Sequence, residues 1–186
     1  MEQKAYRDEK IGIYLRPINY KDTEQIVRWR NTDFVRNHFI FRELFTNEMH
    51  EHWMKSQVET GKVVQMIICR IADDTPCGSV YIRDIDNQNK KAEYGIFIGE
   101  KEALGCGIGT AAGRLMLRYC FEEAGLHRIY LRVLAGNERA VKSYEKVGFQ
   151  KEGYLKEDVL IGGEYRDVIW MAVVEAAWRQ KLEQKK

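Results

Sequence analysis

Residues 103–125 read ALGCGIGTAAGRLMLRYCFEEAG. Gly105, Gly107 and Gly109 alternate with other residues just where an amphipathic helix begins. Glycine there costs chain entropy, so a bare backbone at this point needs a reason. One reading is a flexible helix entry with no ligand, since glycine is tolerated near N-caps. A second is a dinucleotide-binding turn, because Gly107, Gly109 and Ala112 match GxGxxA. That motif should follow a strand at once and meet an acidic residue about 20 positions on. Here Arg128 and Arg132 lie about where the acid should be. A P-loop fails because no Gly-Lys-Ser/Thr is present. The remaining reading is a phosphate cradle. The first N–H groups of a helix lack partners, and the helix dipole adds about half a positive charge there.

Other residues carry chemistry of their own. Tyr144 shares a helical face with Ala140, Val141 and Val147, so by periodicity it reads as a packed core ring. Glu93 opens a strand, where by position it reads as a solvated strand-end carboxylate. Asn137 suits a helix N-cap. Trp29, Arg30, Asn31 and Arg36 offer a ring face and anion-binding forks, or simply the two faces of an amphipathic helix. Cys106 sits inside the glycine loop without an adjacent His or Lys to lower its pKa, so it reads as a plain loop thiol. His127 is assigned no role.

The chain around these residues is ordinary for a globular protein. It has 186 residues, 45% hydrophobic and 31% charged, which suits one domain spanning 1–186 with a sizeable core. A net charge of +2 with no basic block gives no reason to expect nucleic acid. The charged N-terminus lacks an apolar signal core, and no apolar run approaches the ~20 residues of a membrane span. The four cysteines form no CxxC pair and read as reduced thiols in a cytoplasmic protein. No metal site is expected: the histidines form no HExxH, and His50 and His52 fall on different helix faces.

The elements that must position the candidates can be read in order. A first strand, IYLRPI, leads into a helix capped by Asn19, with Asp22 in its first turn. DFVRNHF suggests a short helix, and a longer one runs from a Thr46 cap to a stop at Gly61. Three β-rich runs, 63–72, 78–85 and 92–98, are joined by short turns and predict an antiparallel meander. Strand, helix and strand then alternate, and Gly162-Gly163 marks a final hairpin. The fold class is mixed α/β, with a mostly antiparallel, mixed central sheet and helices on both faces.

Two motifs taken together resemble the GNAT superfamily of acyl-CoA-dependent N-acetyltransferases. The first is Q/R-x-x-G-x-G/A, matched by Gly107 and Gly109 but with Leu104 at its polar first position. The second is N-x-x-A-x-x-x-Y-x-x-x-G-F, matched throughout by Asn137, Ala140, Tyr144, Gly148 and Phe149. The later EGYLKEDVLIGGEYRDVIWM is similar to the RimJ/RimL branch and to bacterial spermidine acetyltransferases, and Trp29-Arg30-Asn31 with Arg36 to aminosugar-nucleotide N-acetyltransferases.

The resemblance implies that acetyl-CoA is the co-substrate, held by Leu104, Gly105, Gly107, Ile108, Gly109, Thr110 and Asn137. It implies Tyr144 as the acid that protonates the leaving thiolate, and Glu93 as the base, directly or through water. It also implies a backbone N–H near Phe97 or Ile98 as the oxyanion donor, where two strands splay. The expected acceptor is a small polar amine, an aminosugar nucleotide ahead of a polyamine or a protein N-terminus, bound by Trp29, Arg30, Asn31 and Arg36. A polycation would want clustered carboxylates, for which Glu43, Glu48 and Glu51 are the candidates. A homodimer is left open, and a non-catalytic acyl-CoA sensor is the alternative from outside enzymology.

Overall fold

Short runs rich in β-branched and aromatic residues recur along the chain, and the computed structural model, described over residues 6–183, joins them into one sheet. Eight strands lie in the order β1-β2-β3-β4-β5-β6-β8-β7. They are β1 (Tyr6–Asp8), β2 (Ile13–Pro17), β3 (Val64–Arg70), β4 (Pro76–Asp86), β5 (Lys91–Ile98), β6 (Arg128–Leu134), β7 (Gln150–Ile161) and β8 (Glu164–Val174). The helices are α1 (Thr23–Asn31), α2 (Asp33–Arg36), α3 (Asn47–Trp53), α4 (Ile108–Glu122), α5 (Glu138–Val147) and α6 (Glu175–Glu183). The expected meander is present as β3–β4–β5, and β7–β8 turns at Gly162-Gly163, where Ile161 pairs with Glu164.

Helices cover both faces because side chains alternate along each strand. On β3, Met66 and Ile68 join the core beneath α4, together with Leu115, Met116 and Val141. Ile67 and Cys69 point the other way and pack with Ile26, Trp29, Val35 and Met54. The helix expected from Thr46 divides in two: α3 is followed by a π-turn over Met54–Val58. Thr46 caps it as expected, accepting from Met49 N.

One break in the sheet positions the site. β5 and β6 run parallel and pair only at Lys91–Arg128, Ala92–Ile129 and Glu93–Tyr130. Beyond Glu93, β5 stays paired to β4 out to Ile98, and β6 stays paired to β8 out to Leu134. The two strands therefore part like the arms of a V. Among the described residues, no helix is long and apolar enough to cross a membrane.

Candidate active site

A cavity of about 1050 Å³ fills the V and reaches both faces of the sheet. Tyr94–Ile98 line one arm and Arg132, Val133 and Leu134 the other. The glycine loop, Thr110 and Tyr144 close it on one side; Arg30, Phe39 and His50 close it on the other.

At the loop, Gly105 and Gly107 have φ of +80° and +79°, a left-handed conformation that side chains rarely adopt. Gly107 is the N-cap of α4 and supplies no side-chain cap. The first intrahelical bond, from Ala111 N to Gly107 O at 3.0 Å, leaves the N–H groups of Ile108, Gly109 and Thr110 ahead of the helical ladder. A Cβ on Gly109 would meet nothing closer than Ser143 Oγ at 3.9 Å. The protein itself thus does not require this glycine, and the space over the helix start is open. These features fit a diphosphate cradle. Leu104 and Ile108 join the same wall, and the Thr110 hydroxyl lies 3.2 Å from that of Ser143, tying α4 to α5.

Asn137 caps α5, accepting from Ala140 N at 3.2 Å, and also lines the cavity. About two turns along α5 from Asn137, Tyr144 reaches the cavity with its ring set edge-on to Tyr94 and Phe149. Burial pushes the Tyr144 phenol well above its ordinary range, so it keeps its proton. The phenol is thus in its acid form at the cavity wall.

Glu93 is 5% exposed and sits at the apex of the V. Arg132 donates to it from Nε at 2.9 Å and from Nη2 at 3.1 Å, and Arg83 adds a third bond from Nη2 at 3.1 Å. Burial alone would raise its pKa, but the Arg132 bonds and the charges of both arginines hold it below the ordinary carboxylate range. The expectation of a base has therefore met a carboxylate whose oxygens are already engaged.

Strand alternation also chooses between the two candidate oxyanion donors. Gly99 N donates to Cys77 O at 2.8 Å. Successive backbone N–H groups point to opposite edges of a strand, so that of Phe97 faces β4 and that of Ile98 faces the gap.

The expected acceptor segment is partly corrected. Arg30 lines the cavity, with its guanidinium 3.5 Å from the centroid of Phe39. Its Nη1 is buried without a hydrogen-bond partner, and burial lowers its pKa, aided by the charge of Arg83. Trp29 is 1% exposed instead of offering a ring to a ligand: it packs where a Cβ on Gly99 would lie, and its Nε1 donates to Glu100 at 2.7 Å. Asn31 is spent on backbone, bonding Phe45 N and Phe45 O at 2.8 Å each. Arg36 pairs with Asp33 at 2.8 Å and is outside the cavity wall. Neighbouring helix residues point about 100° apart, and here Trp29 packs edge-on to Phe97 while Arg30 turns into the cavity over Phe39.

Several wall residues were given no part in the site from the sequence: Tyr81, Arg83, Arg132 and His50. The strand pairing places Tyr81 and Arg83 beside Gly95 and Glu93. Polar residues spaced by two on otherwise apolar strands were the available signal. His50 is 1% exposed; its Nδ1 lies 3.0 Å from Thr23 Oγ1, while its Nε2 has no partner among the described residues. Cys106 is exposed in the loop. Among the described residues, no group of three or more His, Cys, Asp or Glu side chains is placed to hold a metal.

Residues 13–150 match the Acetyltransferase (GNAT) domain. The chain belongs to the GNAT acetyltransferase family. This acetyltransferase is 29% identical over 170 residues to the spermidine N(1)-acetyltransferase of Escherichia coli (strain K12), covering 88% of this chain and 87% of that protein. It is 34% identical over 106 residues to the putative ribosomal N-acetyltransferase YdaF of Bacillus subtilis (strain 168), spanning 57% of each chain. In structure it is similar to the spermidine N-acetyltransferase from Vibrio cholerae crystallised with CoA and spermine. That comparison has a TM-score of 0.84 and 26% identity, and covers 90% of this chain and 98% of that one. The donor for this acetyltransferase is acetyl-CoA.

Proposed function

We propose that this acetyltransferase passes the acetyl group directly to the amine of a small acceptor that also carries negative charge, an aminosugar nucleotide being the best fit. The charge of the cavity wall carries this reading. Arg30, Arg83 and Arg132 line its acceptor end, while Arg139, Lys142 and Lys146 lie on α5 beside the CoA cradle; among the described residues its one acidic member, Glu93, is already paired twice. A polyamine brings several ammonium groups, each needing a paired carboxylate once desolvated. Glu43, Glu48 and Glu51 are exposed and outside that wall. The polyamine reading nonetheless has support in the named spermidine acetyltransferases.

When bound, acetyl-CoA supplies the thioester whose carbonyl carbon is attacked by the acceptor nitrogen. The N–H groups at the start of α4 hold the diphosphate, aided by Thr110, with Asn137 beside the pantetheine arm. The Ile98 N–H faces the developing oxyanion across the V. Tyr144 gives its proton to the sulfur as the C–S bond breaks. Glu93, held by two arginines, sets the positions of Arg83 and Arg132 at the acceptor end, and the ammonium proton leaves through water. The test is CoA release with a panel of amines: a UDP-linked amino sugar, spermidine and a short peptide. The reading expects release with the first and fails if only spermidine supports it.

A further inference from the structure

A second, smaller cavity of about 260 Å³ adjoins the main one. Trp53, Gln57 and Arg83 line both, so the two share a wall. Pockets that enclose a whole ligand begin at roughly 300 Å³, which makes this lobe suited to one end of a ligand whose remainder occupies the main cavity.

The chemistry of the lobe is distinct. Trp53 Nε1 donates to Gln65 Oε1 at 3.2 Å, so the indole is fixed and its ring surface is what remains for a partner. Arg83 spends one nitrogen on Glu93 at 3.1 Å and has its Nε 3.7 Å from Asp84. A guanidinium has five donor hydrogens, so some remain. Lys62 adds a second cation and Gln57 an amide that both donates and accepts, while the Asp84 carboxylate, 64% exposed, lines the same lobe. Backbone strain marks the same spot. Asp84 has φ of +51°, and the β4–β5 register shifts between Arg83 and Asp86. Such bulges re-aim a side chain and concentrate at functional sites.

We infer that the second lobe takes the nucleoside diphosphate end of the acceptor. The diphosphate lies between Arg83 and Lys62, and the base rests against Trp53 with Gln57 at its polar edge. This rests on the reading of the acceptor as a nucleotide-linked amine. It goes further by assigning a binding role to residues outside the reacting centre.

The experiment separates the two. Binding of UDP and of uridine to the CoA-loaded protein is measured by calorimetry in the wild type, Lys62→Ala and Trp53→Leu. Alongside, kcat and KM are measured for a UDP-linked amino sugar and for the free amino sugar. Lys62 is exposed, so its removal leaves the fold intact even if Trp53→Leu does not fold. The inference expects UDP to bind the wild type and Lys62→Ala to weaken it about tenfold while leaving uridine unchanged. It also expects the same variant to raise KM for the UDP-linked sugar, with kcat and the free sugar unaffected. Acetylation of the UDP-linked sugar without any effect of Lys62→Ala on UDP binding or on KM overturns the lobe assignment and leaves the acceptor reading standing. UDP binding that Lys62→Ala weakens, with no acetylation of the UDP-linked sugar, keeps the lobe and overturns the acceptor reading.

Discussion

Arg132 grips Glu93 with two hydrogen bonds, Nε to Oε1 at 2.9 Å and Nη2 to Oε2 at 3.1 Å, at the last paired position before β5 and β6 part. The pair is buried on the Glu93 side and joins the two arms of the V. Breaking such a pair from one side leaves an uncompensated charge. Glu93→Gln keeps the shape but removes the charge. It should lower thermal stability and raise the acceptor KM more than it lowers kcat, without changing the KM for acetyl-CoA. If kcat falls instead by ~10²-fold or more and the acidic limb of its pH profile disappears, Glu93 is the base after all.

The same pair has a sign in pH. The folded-state pKa of Glu93 lies below its ordinary value of 4.5, so its stabilising contribution is full above that value and is lost as pH falls through the folded-state pKa. His50 acts higher. Burial lowers its pKa from 6.5, against the raising charge of Asp22. The unfolded chain therefore gains a proton near pH 6.5 that the folded one refuses, and stability declines as pH drops below that point. Melting temperatures at pH 7.5 and 5.5 should differ less in His50→Gln than in the wild type. An equal difference in both proteins would remove His50 from the account.

Tyr144→Phe retains the ring contacts with Tyr94 and Phe149 and removes only the hydroxyl. A lost general acid typically costs ~10²–10⁴-fold in turnover. Turnover should fall in that range at unchanged acetyl-CoA affinity. Because burial raises the Tyr144 pKa, wild-type kcat should not decline between pH 8 and about 10 on this group's account. A variant with full turnover would return Tyr144 to the core.

The glycine loop separates two causes. Gly107→Val meets strain at φ of +79° as well as blocking the cradle. Gly109 lies inside α4 with open space around it, so Gly109→Ala should hold or raise melting temperature while weakening CoA binding. Unchanged CoA affinity in Gly109→Ala would show that the diphosphate lies elsewhere.

How much of this was visible beforehand follows from where the information lies. The helix start at Gly107, the Asn137 cap, the Thr46 cap and the Gly162-Gly163 hairpin are local, and each stands as the sequence indicates. The three-residue β1 is too short to show a period, and the π-turn over Met54–Val58 shares its spacing with an ordinary helix. Trp29 and Arg30 are adjacent, and helical spacing alone does not say which packs in the core and which turns into the cavity. Arg83, Glu93 and Arg132 come from three strands and meet only through pairing across the sheet. The acceptor end was for that reason the least legible part of the site.

The acceptor's charge is the central claim, and kcat/KM for a UDP-linked amino sugar relative to spermidine tests it most directly. An acceptor end with three arginines, Arg30, Arg83 and Arg132, and one doubly paired carboxylate predicts that the sugar nucleotide leads by tenfold or more, about 1.4 kcal/mol in transition-state binding. The ratio should collapse in Arg30→Ala and be untouched in Arg36→Ala, whose guanidinium is held by Asp33. A tenfold lead for spermidine would contradict the account.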